Sequence, residues 1–136
     1  MQETENYIIT TRIKETWPSK KDVKVCFPSI EPLDNYPEKN FIYNSFVINE
    51  KIWVNDNQLL KDFEFLNDLY EKILDNLTSY LNTLHNVQHK KKFWRIVLGP
   101  WLITYLFMSY DKWKKIRETV EKFSVNKAIV LNFDKS

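Results

Sequence analysis

A chain of 136 residues with 43% apolar and 15% aromatic side chains is long enough for one compact domain and too apolar to be disordered. Its one glycine excludes a glycine-rich phosphate loop, its one cysteine excludes an internal disulfide, and no Cys or His spacing matches a metal-ligand set, so neither metal nor cofactor is expected. The net charge of +2 hides a division: residues 1–88 carry nine basic and fourteen acidic side chains, and residues 89–122 carry nine basic and three acidic.

The N-terminal residues Met1–Asn6 are acidic and polar, unlike a signal peptide. Tyr7–Thr11 and Val23–Phe27 are short, β-branched runs that predict two strands. Between them Arg12–Pro18 predicts a loop or one helical turn closed by its proline. Residues 28–56 hold Pro28, Pro32 and Pro37 and form a long irregular connection, with Phe41–Ile48 as a third strand.

Leu59, Phe63, Leu66, Tyr70, Ile73, Leu77, Tyr80 and Leu84 recur at spacings of three and four and predict a helix from about Gln58 to His85. Asn55 with Gln58 resembles a capping box at its start, and Asn86 a left-handed stop at its end. After the basic link His89–Lys92, the segment Phe93–Leu98 predicts a short helix or turn. A second helix then starts with Pro100 at or near its first position and runs to about Phe123. The Gly99-Pro100 pair inside an apolar run marks either a junction or a place where another group approaches the backbone closely. Ala128–Phe133 predicts a closing strand. The pattern is that of an α/β layered unit with a parallel sheet. The longest uncharged run, Ile96–Tyr110, is 15 residues, short of the ~20 that span a bilayer. The expected location is the cytoplasm, at or near the inner face of the cell membrane.

Thr10-Thr11, Glu15-Thr16-Trp17-Pro18, Leu81-Asn82 with His85, the block Phe93-Trp-Arg-Ile-Val-Leu-Gly-Pro-Trp-Leu102, and Tyr110-Asp111 with Trp113 together resemble a family of bacterial transferases. That family is associated with surface-carbohydrate (O-antigen) biosynthesis. The resemblance spans about Thr10 to Trp113, and the aromatic block is long and built of rare residues. Ile52–Asn57 matches the family only in part. The resemblance implies a Rossmann-like three-layer unit with short parallel strands and two long helices, the N-terminal half of a two-domain (GT-B-like) transferase. On that plan residues 1–136 form a single, acceptor-side domain without the donor-gripping half and without activity of its own. Its partners would be a carbohydrate or lipid-linked acceptor and a C-terminal domain.

Eight residues are candidates for chemistry. Arg95, flanked by apolar residues, must either clamp a phosphate or carboxylate or pair with an acid such as Glu15 or Asp111. Trp94 and Trp101 either stack on a sugar or pack in the core. Gly99 is either a helix-start device or a backbone N–H site for an anion at a helix N-terminus. His85 is a general base or a dipole-favoured helix end. Glu15, Thr16 and Trp17 follow the first strand, where α/β proteins place ligands, and Glu15 is the candidate acceptor-activating base. The other functional class is a membrane-surface or protein-interaction module that uses the basic stretch Asp111–Lys122. Nucleic acid is not an expected partner, since no recognition motif is present.

Overall fold

The structure is a computed structural model that describes residues 3–33, 43–49 and 55–132. Its strands are β1 (Asn6–Ile8), β2 (Lys24–Phe27), β3 (Ser45–Ile48) and β4 (Lys127–Ala128), and its helices are α1 (Asp56–His85) and α2 (Lys91–Phe123). Two compact units are present. One comprises Met1–Ile52 with Trp113–Ser136, and the other comprises Trp53–Lys112.

The first unit is built on a sheet in the order β3-β2-β1-β4, with every pairing parallel. Parallel strands are normally covered on both faces, and β2 shows it: Val25, Cys26 and Phe27 are all fully buried. Val25 and Phe27 join Ile9, Val23, Leu33 and Tyr43 in one core, with Tyr7, Trp17 and Ile48 against it. Burial pushes the Cys26 thiol up, so it stays an unreactive apolar filler. This is an α/β, Rossmann-like arrangement with two long helices. The chain steps outward from β1 to β2 to β3, then returns to the other side of β1 with β4. The order therefore reverses between β1 and β4, which makes that gap the topological switch point where such sheets bind ligands.

The edges are shorter than the sequence predicts. β4 pairs only Lys127 and Ala128 with Tyr7 and Ile8, and the chain from Ile129 to Asn132 is irregular, with Val130 85% exposed. Polar groups fix this edge instead of apolar burial. Asn126 N donates to Asn6 O, Asn6 N donates to Asn126 Oδ1, and Lys127 pairs with Glu5. The third strand begins at Ser45, because Tyr43 is turned inward and its hydroxyl donates to Pro18 O at 2.6 Å. Phe41 and Ile42 lie outside the described residues.

The second unit contains an antiparallel helical hairpin. The partner pairs Asn82–Trp94, Glu71–Arg95, Tyr70–Gly99 and Asp62–Tyr110 run in opposite directions along the two helices. Asn55 caps α1, its side chain accepting from Asn57 N at 3.0 Å. Gln58 N donates to the Asn55 backbone oxygen and its side chain donates to Asp62, so a simple N-cap forms in place of the capping box. Asn86 ends α1 in the left-handed conformation at φ 52° and ψ 47°. The buried seam is Tyr70 and Leu74 against Trp94 and Leu102. Leu59, Phe63, Tyr80 and Leu84, the ends of the predicted stripe, are exposed.

The predicted break at Gly99-Pro100 does not occur. α2 is one helix of 33 residues with Pro100 inside it. Proline normally forces its predecessor out of the helical region, partly through a clash with that residue's Cβ. Glycine has no Cβ, so Gly99 relieves part of this clash. The missing Cβ serves a second contact as well. An added Cβ would lie 2.7 Å from the hydroxyl oxygen of the buried Tyr70 and 3.5 Å from Arg95 Cγ. The two helices are thus brought together where the backbone of α2 is bare. Glycine and proline cost an interior helix about 1 and 3 kcal/mol respectively, and packing across the hairpin must offset that.

A double-mutant cycle checks this contact. Gly99→Ala should destabilise the chain by about 1–3 kcal/mol in a denaturant titration, despite alanine's better helix propensity. In a Tyr70→Phe background the same change should become close to neutral. An equal penalty in both backgrounds would remove the hydroxyl from the explanation.

Candidate functional site

The turn that leaves β1 stands at the switch point and is held in shape by its own side chains. Residues Lys14–Thr16 form a single 3-10 turn. The Thr16 hydroxyl is 2.6 Å from Ile13 O, to which it donates, and 3.0 Å from the Thr11 hydroxyl. Thr11 Oγ1 also accepts from Ile13 N, and Trp17 Nε1 donates to Thr11 O at 2.9 Å. Trp17 then anchors the turn to the sheet core, edge-on to Phe27 at 5.8 Å and beside Tyr43 at 6.4 Å. Thr11, Thr16, Trp17 and Pro18 therefore build the loop, and Glu15 is left exposed on it. The buried Asn49, directly after β3, donates to Thr119 Oγ1, which in turn donates to Lys115 O.

The remaining candidates lie in the helical unit. Arg95 forms a two-pronged ion pair with Glu71, at 2.6 and 2.9 Å, so its acid partner is neither Glu15 nor Asp111. Its guanidinium also lies 5.7 Å from the centre of the Tyr70 ring. Lys91 bridges Glu71 and Asp75, both at 2.8 Å. The Arg95 fork, with Lys91 assisting, holds the Glu71 carboxyl down at about 2, and Glu71 in return raises Arg95. Such a fork is the geometry in which arginine grips a carboxylate best, and here the carboxylate belongs to the protein.

Gly99 is inside α2, so the expected anion site at a helix N-terminus is not present at that position. His85 is the last residue of α1, exposed, with its ring stacked near Trp94 at 6.3 Å. Trp94 is buried and donates through Nε1 to Asn82 Oδ1 at 2.9 Å. Asn82 also bonds the backbone N and O of His89, closing the hairpin. Trp101 is not in the core. It is 60% exposed and stacks on Tyr105 with centroids 5.4 Å apart and an interplanar angle of 15°. Glu15, Thr16 and Trp17 thus belong to the sheet unit, while His85, Arg95, Gly99 and Trp101 belong to the helical one.

Two features escaped sequence reasoning. Glu71 pairs with an arginine 24 residues away on another helix, a distance that no local pattern spans. An apolar groove of about 380 Å³ is lined by Leu59, Phe63, Leu66, Phe107, Met108, Tyr110 and Asp111. Beside it the buried Asp62 accepts from the Tyr110 hydroxyl at 2.8 Å. Among the described residues no cluster of three or more His, Cys, Asp or Glu is placed to hold a metal, and no helix is long and apolar enough to cross a membrane.

The Glu71 pair sets a pH dependence. A carboxyl lowered in the folded state from 4.5 to about 2 contributes stability that is complete above 4.5. That contribution is lost as pH falls through about 2. Glu71→Gln should therefore flatten the loss of stability between these two values in acid titrations, and unchanged steepness would contradict the pairing.

The family model described as LIC12162 family transferase matches residues 6–136. Neither a curated protein nor a solved structure matches the chain. The match takes in the switch-point turn, the helical hairpin and the whole parallel sheet, and the chain belongs to the LIC12162 family of transferases.

Proposed function

We propose that the chain supplies the acceptor side of a glycosyl-transferring enzyme in bacterial surface-polysaccharide (O-antigen) synthesis. The observation that carries this reading is the self-braced turn Thr11–Pro18 at the switch point of a transferase-family parallel sheet. That turn holds one exposed carboxylate, Glu15, over a rigid base. In the reaction an acceptor hydroxyl oxygen bonds to the anomeric carbon of an activated sugar. The bond to the leaving phosphate breaks with its electron pair, and Glu15 takes the hydroxyl proton. Thr16 and Trp17 act as positioning residues, because their polar groups are spent within the loop. The acceptor is a carbohydrate, free or lipid-linked. The donor is a nucleotide sugar gripped by a domain other than this one. The single glycine lies inside a helix, so this chain offers the donor phosphates no glycine-rich cradle.

Calorimetric titration separates the two substrates. Acceptor oligosaccharides of surface polysaccharide should bind saturably, nucleotide sugars should give no heat, and Glu15→Gln should weaken acceptor binding by about fivefold, the ~1 kcal/mol of one exposed hydrogen bond. Tight nucleotide-sugar binding without oligosaccharide binding would overturn the acceptor assignment.

A further inference from the structure

Helix α2 has two apolar faces, and the hairpin uses only one. Trp94, Leu98, Leu102 and Leu106 pack toward α1. Phe93, Ile96, Val97, Trp101, Tyr105 and Met108 are all exposed. Their spacings of three, one and four residues place them on a second stripe along the same helix. From Phe93 to Met108 the stripe is about 22 Å long at 1.5 Å per residue. An apolar face of that length on a soluble surface calls for an occupant.

The charge of the unit identifies the occupant. From His89 to Tyr110 there is no acidic residue, and Lys90 and Lys92 lie exposed at the start of the stripe. Lys112, also exposed, follows Met108 by one turn on the same face. The acids are on the other helix: α1 carries six carboxylates against two lysines, with Asp56, Glu64, Asp68 and Asp75 exposed. Lys91 and Arg95 point their charge into that acidic helix through Glu71 and Asp75, so α1 and α2 face opposite electrostatic environments. An apolar stripe with Trp and Tyr along it, lysines at both ends and a single acid, Asp111, at its far end suits the headgroup layer of an anionic bilayer. An apolar protein groove offers nothing to the lysines, and a second copy of the same stripe would set lysines against lysines.

We propose that the outer face of α2 docks in the plane of an anionic membrane, Trp101 and Tyr105 entering the headgroup–acyl boundary while Lys90, Lys92 and Lys112 meet lipid phosphates. The helix lies on the bilayer rather than across it, consistent with the absence of a spanning helix among the described residues. This docking is independent of the sugar chemistry, though it would place a lipid-linked acceptor beside the enzyme.

The test is co-sedimentation of the chain with vesicles that contain no glycan. The chain should bind vesicles of equimolar phosphatidylcholine and phosphatidylglycerol, bind them less as salt rises, and ignore pure phosphatidylcholine. Trp101→Ser with Tyr105→Ser should weaken binding by about tenfold or more, from the lost apolar area. Circular dichroism should stay unchanged, because both side chains are exposed. Lys112→Glu should steepen the loss while leaving the fold intact. The proposal is overturned by no binding to anionic vesicles at low salt. It is also overturned by undiminished binding of the double variant, or by sedimentation equilibrium showing that the stripe is closed by self-association. None of these outcomes depends on whether acceptor oligosaccharides bind.

Discussion

The approach of Tyr70 to the bare backbone at Gly99 is the constraint from which the helical unit follows. The hydroxyl stands where a side chain would begin, at 2.7 Å from an added Cβ. That contact sets the separation of the two helices at mid-length. It also fixes the register that brings Arg95 to Glu71, Trp94 to Asn82 and Tyr110 to Asp62. The same absent Cβ lets α2 continue through Pro100. The chain's single glycine therefore answers a helix-continuity problem and a packing problem at one position.

A continuous α2 has a consequence for the rest of the chain. One helix supplies the second arm of the hairpin and then, beyond Lys112, part of the sheet unit. There Thr119 meets Asn49 and the helix end meets Asn6. The sheet places the turn after β1 at its switch point, and that turn spends Thr11, Thr16 and Trp17 on its own geometry. Those residues hold the surface of the turn steady, with Glu15 exposed on it. A run of family-defining residues can thus be mostly scaffold.

The parts legible in the sequence were those decided locally. The αL stop at Asn86, the Asn55 cap, the span of α1 and the two central strands all follow from neighbours within one turn or one pleat. The parts that were not legible depend on distant residues. Gly99-Pro100 looks like a break until Tyr70 is known to lie across from it. Arg95 has no visible partner until Glu71 arrives from another helix. α2 hides its amphipathicity because two apolar faces cancel in any periodicity count, so its exposed stripe is found only once α1 is seen to cover the other side. The closing strand was overextended for a similar reason: β1 offers β4 only two paired residues, however β-prone the sequence beyond them.

The most direct measurement is a nuclear Overhauser spectrum of the chain, read together with backbone chemical shifts from Trp94 to Tyr105. Cross-peaks between the Tyr70 ring and the Gly99 α-protons, with helical shifts unbroken through Leu98 and Trp101, are the predicted result. Coil-like shifts at residues 98–101, or a Tyr70 ring without contact to Gly99, would contradict the account at its centre.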